Sequence, residues 1–236
     1  MRLVLILVSL IPNLAFGSVE SSAMIPTQAF QHFKTIQKES MAIFHDFGYP
    51  YYFAGLIEHE SCITLTHKKC WNASSQLLTK REQGIGFFQL TRTWKADGSP
   101  RFDTLTELRN KHMDQLKELS WSNVVQRPDL QIRAGILLTK TNYQRMYPVK
   151  DTFERLAMAD AAFNGGLGGL LKERTACGLA KDCDPQYWFD HVERYCLKSM
   201  KPLYGTRSPC DINRNHTYDV LIKRMPKYEF YFTTPS

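Results

Sequence analysis

The stretch "GLIEHESCI", Gly55 to Ile63, puts two carboxylates, an imidazole, a hydroxyl and a thiol into consecutive positions 58–62. Such residues can ligate a metal, do sulfur chemistry or move a proton. "HESCI" begins like the helical zinc-protease motif, but Ile63 stands where its second histidine belongs, so that motif fails. A looser quartet, His59, Cys62, His67 and Cys70, has spacing that could hold zinc. A Cys62–Cys70 disulfide is the preferred reading, and neither a metal nor a cofactor is expected. For proton transfer the candidate is Glu60. On a helix, Leu56 and Ile57 lie four and three positions before it and share its face, with Phe53 a turn further back. Glu60 thus sits on an apolar stripe and Glu58 points away from it. Apolar surroundings penalise a charged carboxylate, so its pKa should rise and suit it to general-acid work near neutral pH. The plain alternative is a glutamate at the stripe's edge, its charge reaching water. Glu58 and His59 have no role derivable from the sequence.

The elements that must position these groups are mostly helical. Phe30, Phe33, Ile36, Phe44 and Phe47 follow Pro26 at helical spacing, and Gly48 can end that element. Further helices start at Pro50, at Thr104 with Glu107 as a capping box, at Pro128, and at Asp151 with Glu154, the last ended by Gly165 and Gly166. Others are expected from Asp184-Pro185 and from Asn215 to Pro226. Only "GIGFFQLT", Gly84 to Thr91, reads as a strand or hairpin. The expected fold is mainly α with a small β-hairpin. An N-terminal helical segment spans 18–47, a core unit 48–175, and a cysteine-containing extension 176–236.

The chain of 236 residues is 43% hydrophobic and 12% aromatic, enough for a packed core and against wholesale disorder. Its net charge of +7 suits an acidic partner such as nucleic acid, anionic lipid or an anionic wall polymer. Arg2, the apolar run Leu3–Leu14 and Ala15-Phe16-Gly17 form an export-signal pattern over residues 1–17. The run is shorter than the roughly 20 residues of a membrane span. All six cysteines follow it: Cys62, Cys70, Cys177, Cys183, Cys196 and Cys210. In an exported chain they read as disulfides, most simply paired with their nearest neighbours in sequence.

Three separated motifs carry a family resemblance. "GLIEHES" resembles the catalytic helix of soluble Slt-type lytic transglycosylases. "GIGFFQLTRTW" is similar to their GLMQ segment and "ADAAFNGGLGGL" to their AAYNAG segment, and "RPDLQIRAGILLTKTNYQ" is similar to the helix between those two. The resemblance covers roughly residues 48–170. It implies a lysozyme-like fold of the SLT-domain type, with a cleft walled by the β segment. It implies Glu60 as catalytic acid, then base. It also implies substrate contacts from Ser61, Gly86, Phe87, Phe88, Gln89, Phe163 and Asn164. The implied substrate is the peptidoglycan glycan strand, cleaved without water to a 1,6-anhydro sugar, in the periplasm or at the wall. Two departures stand out. Phe163 replaces the family tyrosine, removing a hydroxyl near the carboxylate, and residues 95–127 form an apparent insertion.

A hydrolase on the same fold would need a second carboxylate to activate water, and Glu82 is the best candidate, against the plain reading of a solvated loop charge. A non-catalytic exported module that binds glycan or protein is the alternative from another class. Nucleic-acid binding is not expected, because no basic run or recognition motif accompanies the charge. An envelope protein partner and the oligomeric state are left open.

Overall fold

The computed structural model describes residues 24–203 and 205–233. The expected export signal lies outside them. Along the chain come α1 (Phe30–Ile43), α2 (Tyr52–Ser61), strands β1 (Gln76–Leu78), β2 (Glu82–Ile85), β3 (Leu90–Trp94) and β4 (Pro100–Asp103), then α3 (Thr104–Lys111) and α4 (Met113–Leu116). Next are α5 (Pro128–Arg145), α6 (Thr152–Gly165), α7 (Leu167–Gly178) and α8 (Pro209–Tyr218). The chain continues from α8 as a π-helical turn, Asp219–Arg224, and a 3-10 turn, Met225–Tyr228, before the short α9 (Phe230–Thr233). None of the described helices is long and apolar enough to cross a membrane.

The fold is mainly helical with one small sheet, and the sheet is larger than the expected hairpin. Four antiparallel strands lie in the order β1-β2-β3-β4. Gly84 pairs with Thr91 and Ile85 with Leu90, so "GIGFFQLT" supplies the central strand pair and its turn. The stretch 95–127 does not hang outside the body. Leu105, Leu108, Leu116, Leu119 and Val124 pack with Ile85 and Leu90 of the sheet and with Leu130, Ala134 and Leu137 of α5. The other side of α5 carries Ile132, Ile136 and Tyr143 into the main core. Pro128 opens that helix, where its missing N–H costs nothing.

The region after residue 175 is equally part of the main core. Cys177, Trp188, Val192, Val220, Leu221, Met225, Tyr228 and Phe232 share one apolar cluster with α1, α2 and α6. Gly55 on α2 explains how closely the two pack. A Cβ there would stand 2.8 Å from the Met225 amide nitrogen, so only glycine admits this approach. Three disulfides, Cys62–Cys70, Cys177–Cys183 and Cys196–Cys210, join neighbouring cysteines as expected.

Three helix expectations are corrected. α1 ends at Ile43 rather than near Gly48, so Phe44 and Phe47 lie in the connection after it. The segment after Asp184 is turns and a 3-10 turn at Val192–Arg194, not a helix. There the Glu154 carboxylate accepts from the Trp188 and Phe189 amides at 2.6 and 3.3 Å, and Asp190 has φ of 60°. The helix expected from Asn215 is α8, which starts at Pro209, because Ser208 and Asp211 form a capping box. Asp151 caps α6 as expected, and Asp103 rather than Thr104 caps α3.

Candidate functional site

The helix that carries Glu60 has almost no solvent face. Tyr52 to Glu58 and Ser61 are all buried, with α1, α6 and the 219–228 segment around them. At its end the Ser61 hydroxyl donates to the Ile57 carbonyl at 2.7 Å and accepts from the Trp71 amide at 3.1 Å. The Cys62–Cys70 disulfide closes the loop that follows. That bond uses the two sulfurs of the considered zinc quartet, and the His67 Nδ1 accepts from the Lys69 amide. The zinc reading of that quartet is overturned.

Glu58 is not a flanking residue. It is 3% exposed, and its carboxylate accepts from Lys227 Nζ at 2.6 and 2.7 Å and from the Tyr228 hydroxyl. Arg224 Nε lies 3.5 Å away. The side of α2 that looked polar faces the C-terminal segment, and Glu58 fastens that segment down.

Glu60 opens on a cavity of about 490 Å³, within the range of small-ligand sites. The walls come from residues 59–63 at the end of α2, Lys69 in the loop that follows, positions 75–91 of the sheet region, and Phe163 and Asn164 of α6. Glu82, Phe88 and Gln89 line it too. Phe88 is pressed against Gly135 of α5, where a Cβ would stand 2.5 Å from the ring. Gln89 has φ of 45°, and its amide donates to the Gly86 and Ser75 carbonyls at 2.9 and 3.2 Å. Asn164 accepts from Asn213 Nδ2 at 3.1 Å.

Phe87, Gly86 and Ser61 need separate roles from those expected. Phe87 is completely buried, with His32 edge-on to its ring at 4.7 Å, and it offers no surface to the cavity. Gly86 has φ of 81°, and a Cβ there would stand 2.1 Å from Gln131 Oε1. That same oxygen accepts from the Phe87 amide at 2.9 Å. These two residues shape the turn. Ser61 borders the cavity, but its hydroxyl is engaged inside the chain as described above.

The apolar setting expected for Glu60 is broken by a group the sequence reading missed. His216 of α8 is 2% exposed, and its Nε2 lies 2.7 Å from Glu60 Oε1. Its Nδ1 lies 2.8 Å from Oδ2 of the fully buried Asp160 on α6, and Asp160 Oδ1 accepts from the Tyr52 hydroxyl at 2.9 Å. Burial opposes charge on this ring, but the flanking Asp160 and Glu60 carboxylates outweigh it and hold the pKa at about 10. The two carboxylates thus favour the protonated ring, the form in which both nitrogens are donors. Asp160 was missed as well, although a lone carboxylate in the apolar run "LAMADAAF" could have pointed to it. Nothing local marks His216, which is 156 positions from Glu60.

α8 is set against this site by several contacts. Asn213 donates to the Ala161 carbonyl at 2.9 Å as well as to Asn164. Arg214 meets the fully buried Glu173 at 2.9 Å. The Cys196–Cys210 disulfide holds the helix's first turn.

His59, on the cavity side, behaves oppositely to His216. Burial, the nearby His216 charge and Arg224 outweigh the carboxylates and push its pKa down to about 4. Its Nδ1 has no hydrogen-bond partner. His59, Glu60 and His216 offer ligand atoms that all lie within 4.8 Å of one another. Both His216 nitrogens face carboxylates, Asp160 on one side and Glu60 on the other.

The two histidines give stability opposite pH dependence. His216 has a raised folded pKa, so its contribution is complete below its unfolded value of 6.5 and is lost as pH rises toward about 10. His59 has a lowered folded pKa, so its contribution is present above 6.5 and lost as pH falls toward about 4. Urea unfolding across this range should show His216→Gln flattening the alkaline decline and His59→Gln the acid one. Unchanged slopes in both variants would contradict these assignments.

The chain matches no protein-family model, no curated protein and no solved structure.

Proposed function

We propose that the protein cleaves peptidoglycan glycan strands as a lytic transglycosylase, with Glu60 as general acid and then base. The observation that carries this reading is convergence. The glutamate of "GLIEHES", Phe88 and Gln89 of "GIGFFQLT", and Phe163 and Asn164 of "ADAAFNGG" all line one cavity. The resemblance to Slt-type enzymes and their lysozyme-like fold rests on those motifs and their order.

Glu60 gives its proton to the glycosidic oxygen as the MurNAc C1–O bond breaks, with the substrate's N-acetyl group assisting at C1. The carboxylate then takes the proton of the C6 hydroxyl as that oxygen closes onto C1. The products are a free GlcNAc end and a 1,6-anhydro-MurNAc end, and no water is consumed. The resemblance calls for a tyrosine hydroxyl near the carboxylate where this chain has Phe163. The hydrogen bond to the carboxylate comes instead from His216. The net charge of +7, the three disulfides and the signal-like N-terminus are consistent with work at the cell wall after export.

A hydrolase reading keeps one supporting observation: Glu82 lines the same cavity as Glu60. Mass spectrometry of soluble products from purified peptidoglycan separates the outcomes. Anhydro ends, lighter by one water than hydrolysed ends, are the expected result. Hydrolysed ends would favour the Glu82 mechanism, and no soluble product would leave a non-catalytic binding module.

A further inference from the structure

We infer that His216 is the positioning residue of this site: set between the buried Asp160 and Glu60, it fixes Glu60 by one carboxylate oxygen. The inference rests on the proposed function for its catalytic consequence, but the coupling itself does not.

The geometry argues for more than a buried histidine satisfying a buried aspartate. Asp160 alone would need only Nδ1. The other nitrogen is aimed at the single cavity-facing carboxylate of α2, at 2.7 Å. The ring has little freedom to turn away. Phe163 stacks on it with centroids 6.3 Å apart and planes 22° apart, and His59 meets it edge-on at 4.4 Å. Tyr52 and Asp160 extend the buried chain behind it. Side chains from α2, α6 and α8 thus form a line that ends at Glu60 Oε1. Oε2 is the oxygen left for the reacting bond.

The proton count is simple. A proton leaves Glu60 Oε2 for the glycosidic oxygen, and the C6 hydroxyl proton later returns to Oε2. The carboxylate formed between these events stays held at Oε1 by the His216 ring. The charged and titratable groups around His216 are Glu60, His59 and Tyr52 on α2 and Asp160 on α6. Arg224 and Asp219, on the continuation of its own helix, bear on His59. The strong upward displacement of the His216 pKa agrees with this arrangement.

The test compares wild type, His216→Gln and Glu60→Gln, all in EDTA so that adventitious metal plays no part. Glutamine at 216 can still donate to Glu60 but carries no charge. Peptidoglycan turnover as a function of pH should show its kcat reduced by roughly 10–100-fold with little change in KM. Because the group beside Glu60 can no longer gain or lose a proton, the shape of the pH profile should change as well as its height, which a merely structural role for His216 would not produce. A folded His216→Gln protein with an unchanged profile and kcat overturns the inference and leaves the proposed function standing. If wild type releases nothing, the proposed function fails, and ring-nitrogen NMR decides the coupling by itself. There the His216 titration should fall to lower pH in Glu60→Gln. An unmoved titration overturns the inference.

Discussion

Replacing Glu60 by glutamine should reduce release of soluble muropeptides by about 10²- to 10⁴-fold, the usual contribution of a positioned general acid. The substitution keeps the side chain's size and leaves an amide oxygen to accept from His216. Asp160 still pairs with the other ring nitrogen. The Glu60 side chain is 15% exposed at the cavity wall, so little packing changes and the fold should survive. The fold is checked by circular dichroism and thermal unfolding, and the activity by chromatography of digests of purified wall. A well-folded variant within a few-fold of wild-type release would remove Glu60 from the chemistry.

Two positions earlier on the same helix the opposite result is expected. Glu58→Ala should cost about 3–5 kcal/mol of stability, because it leaves cations without their buried counter-charge. Lys227 is the chief loser, at 2.6 and 2.7 Å from the carboxylate, with the Tyr228 hydroxyl losing its acceptor as well. For a domain of this size that corresponds to a melting temperature lowered by roughly 6–20 °C. The loss should reach the site too, because the loosened segment continues directly from the helix that carries His216. A drop below about 2 °C would mean that Glu58 does not fasten the segment. The pair of variants therefore separates two carboxylates that the sequence places side by side. One affects turnover with little effect on stability, and the other acts through stability.

Much of the local structure was legible because its causes are local. Pro128 at a first helical position, Asp151 capping the turn after it, and glycines at the end of α6 act over a few residues. The neighbouring cysteines paired as the short loops between them suggest. "GIGFFQLT" was legible as a turn between strands. It was not legible that Phe87 would be sealed in the core while the adjacent Phe88 reached the cavity wall. Alternation alone offers no way to tell which side of the turn is covered. The Asp184 segment misled because its helical pattern loses to a tertiary partner, Glu154, that takes its backbone amides.

The sequence by itself determined that the chain is mainly helical and that its cysteines pair locally, and it put Glu60 forward as the candidate acid. Only the tertiary structure decided what surrounds that carboxylate. Helical spacing assigns a residue to a face, but it does not say what packs on that face. Both faces of α2 are covered by segments from far along the chain. Glu58 therefore found Lys227 at a separation of 169 residues, and Glu60 found His216 at 156. Contacts of that range arise when the core closes, and no local pattern carries them.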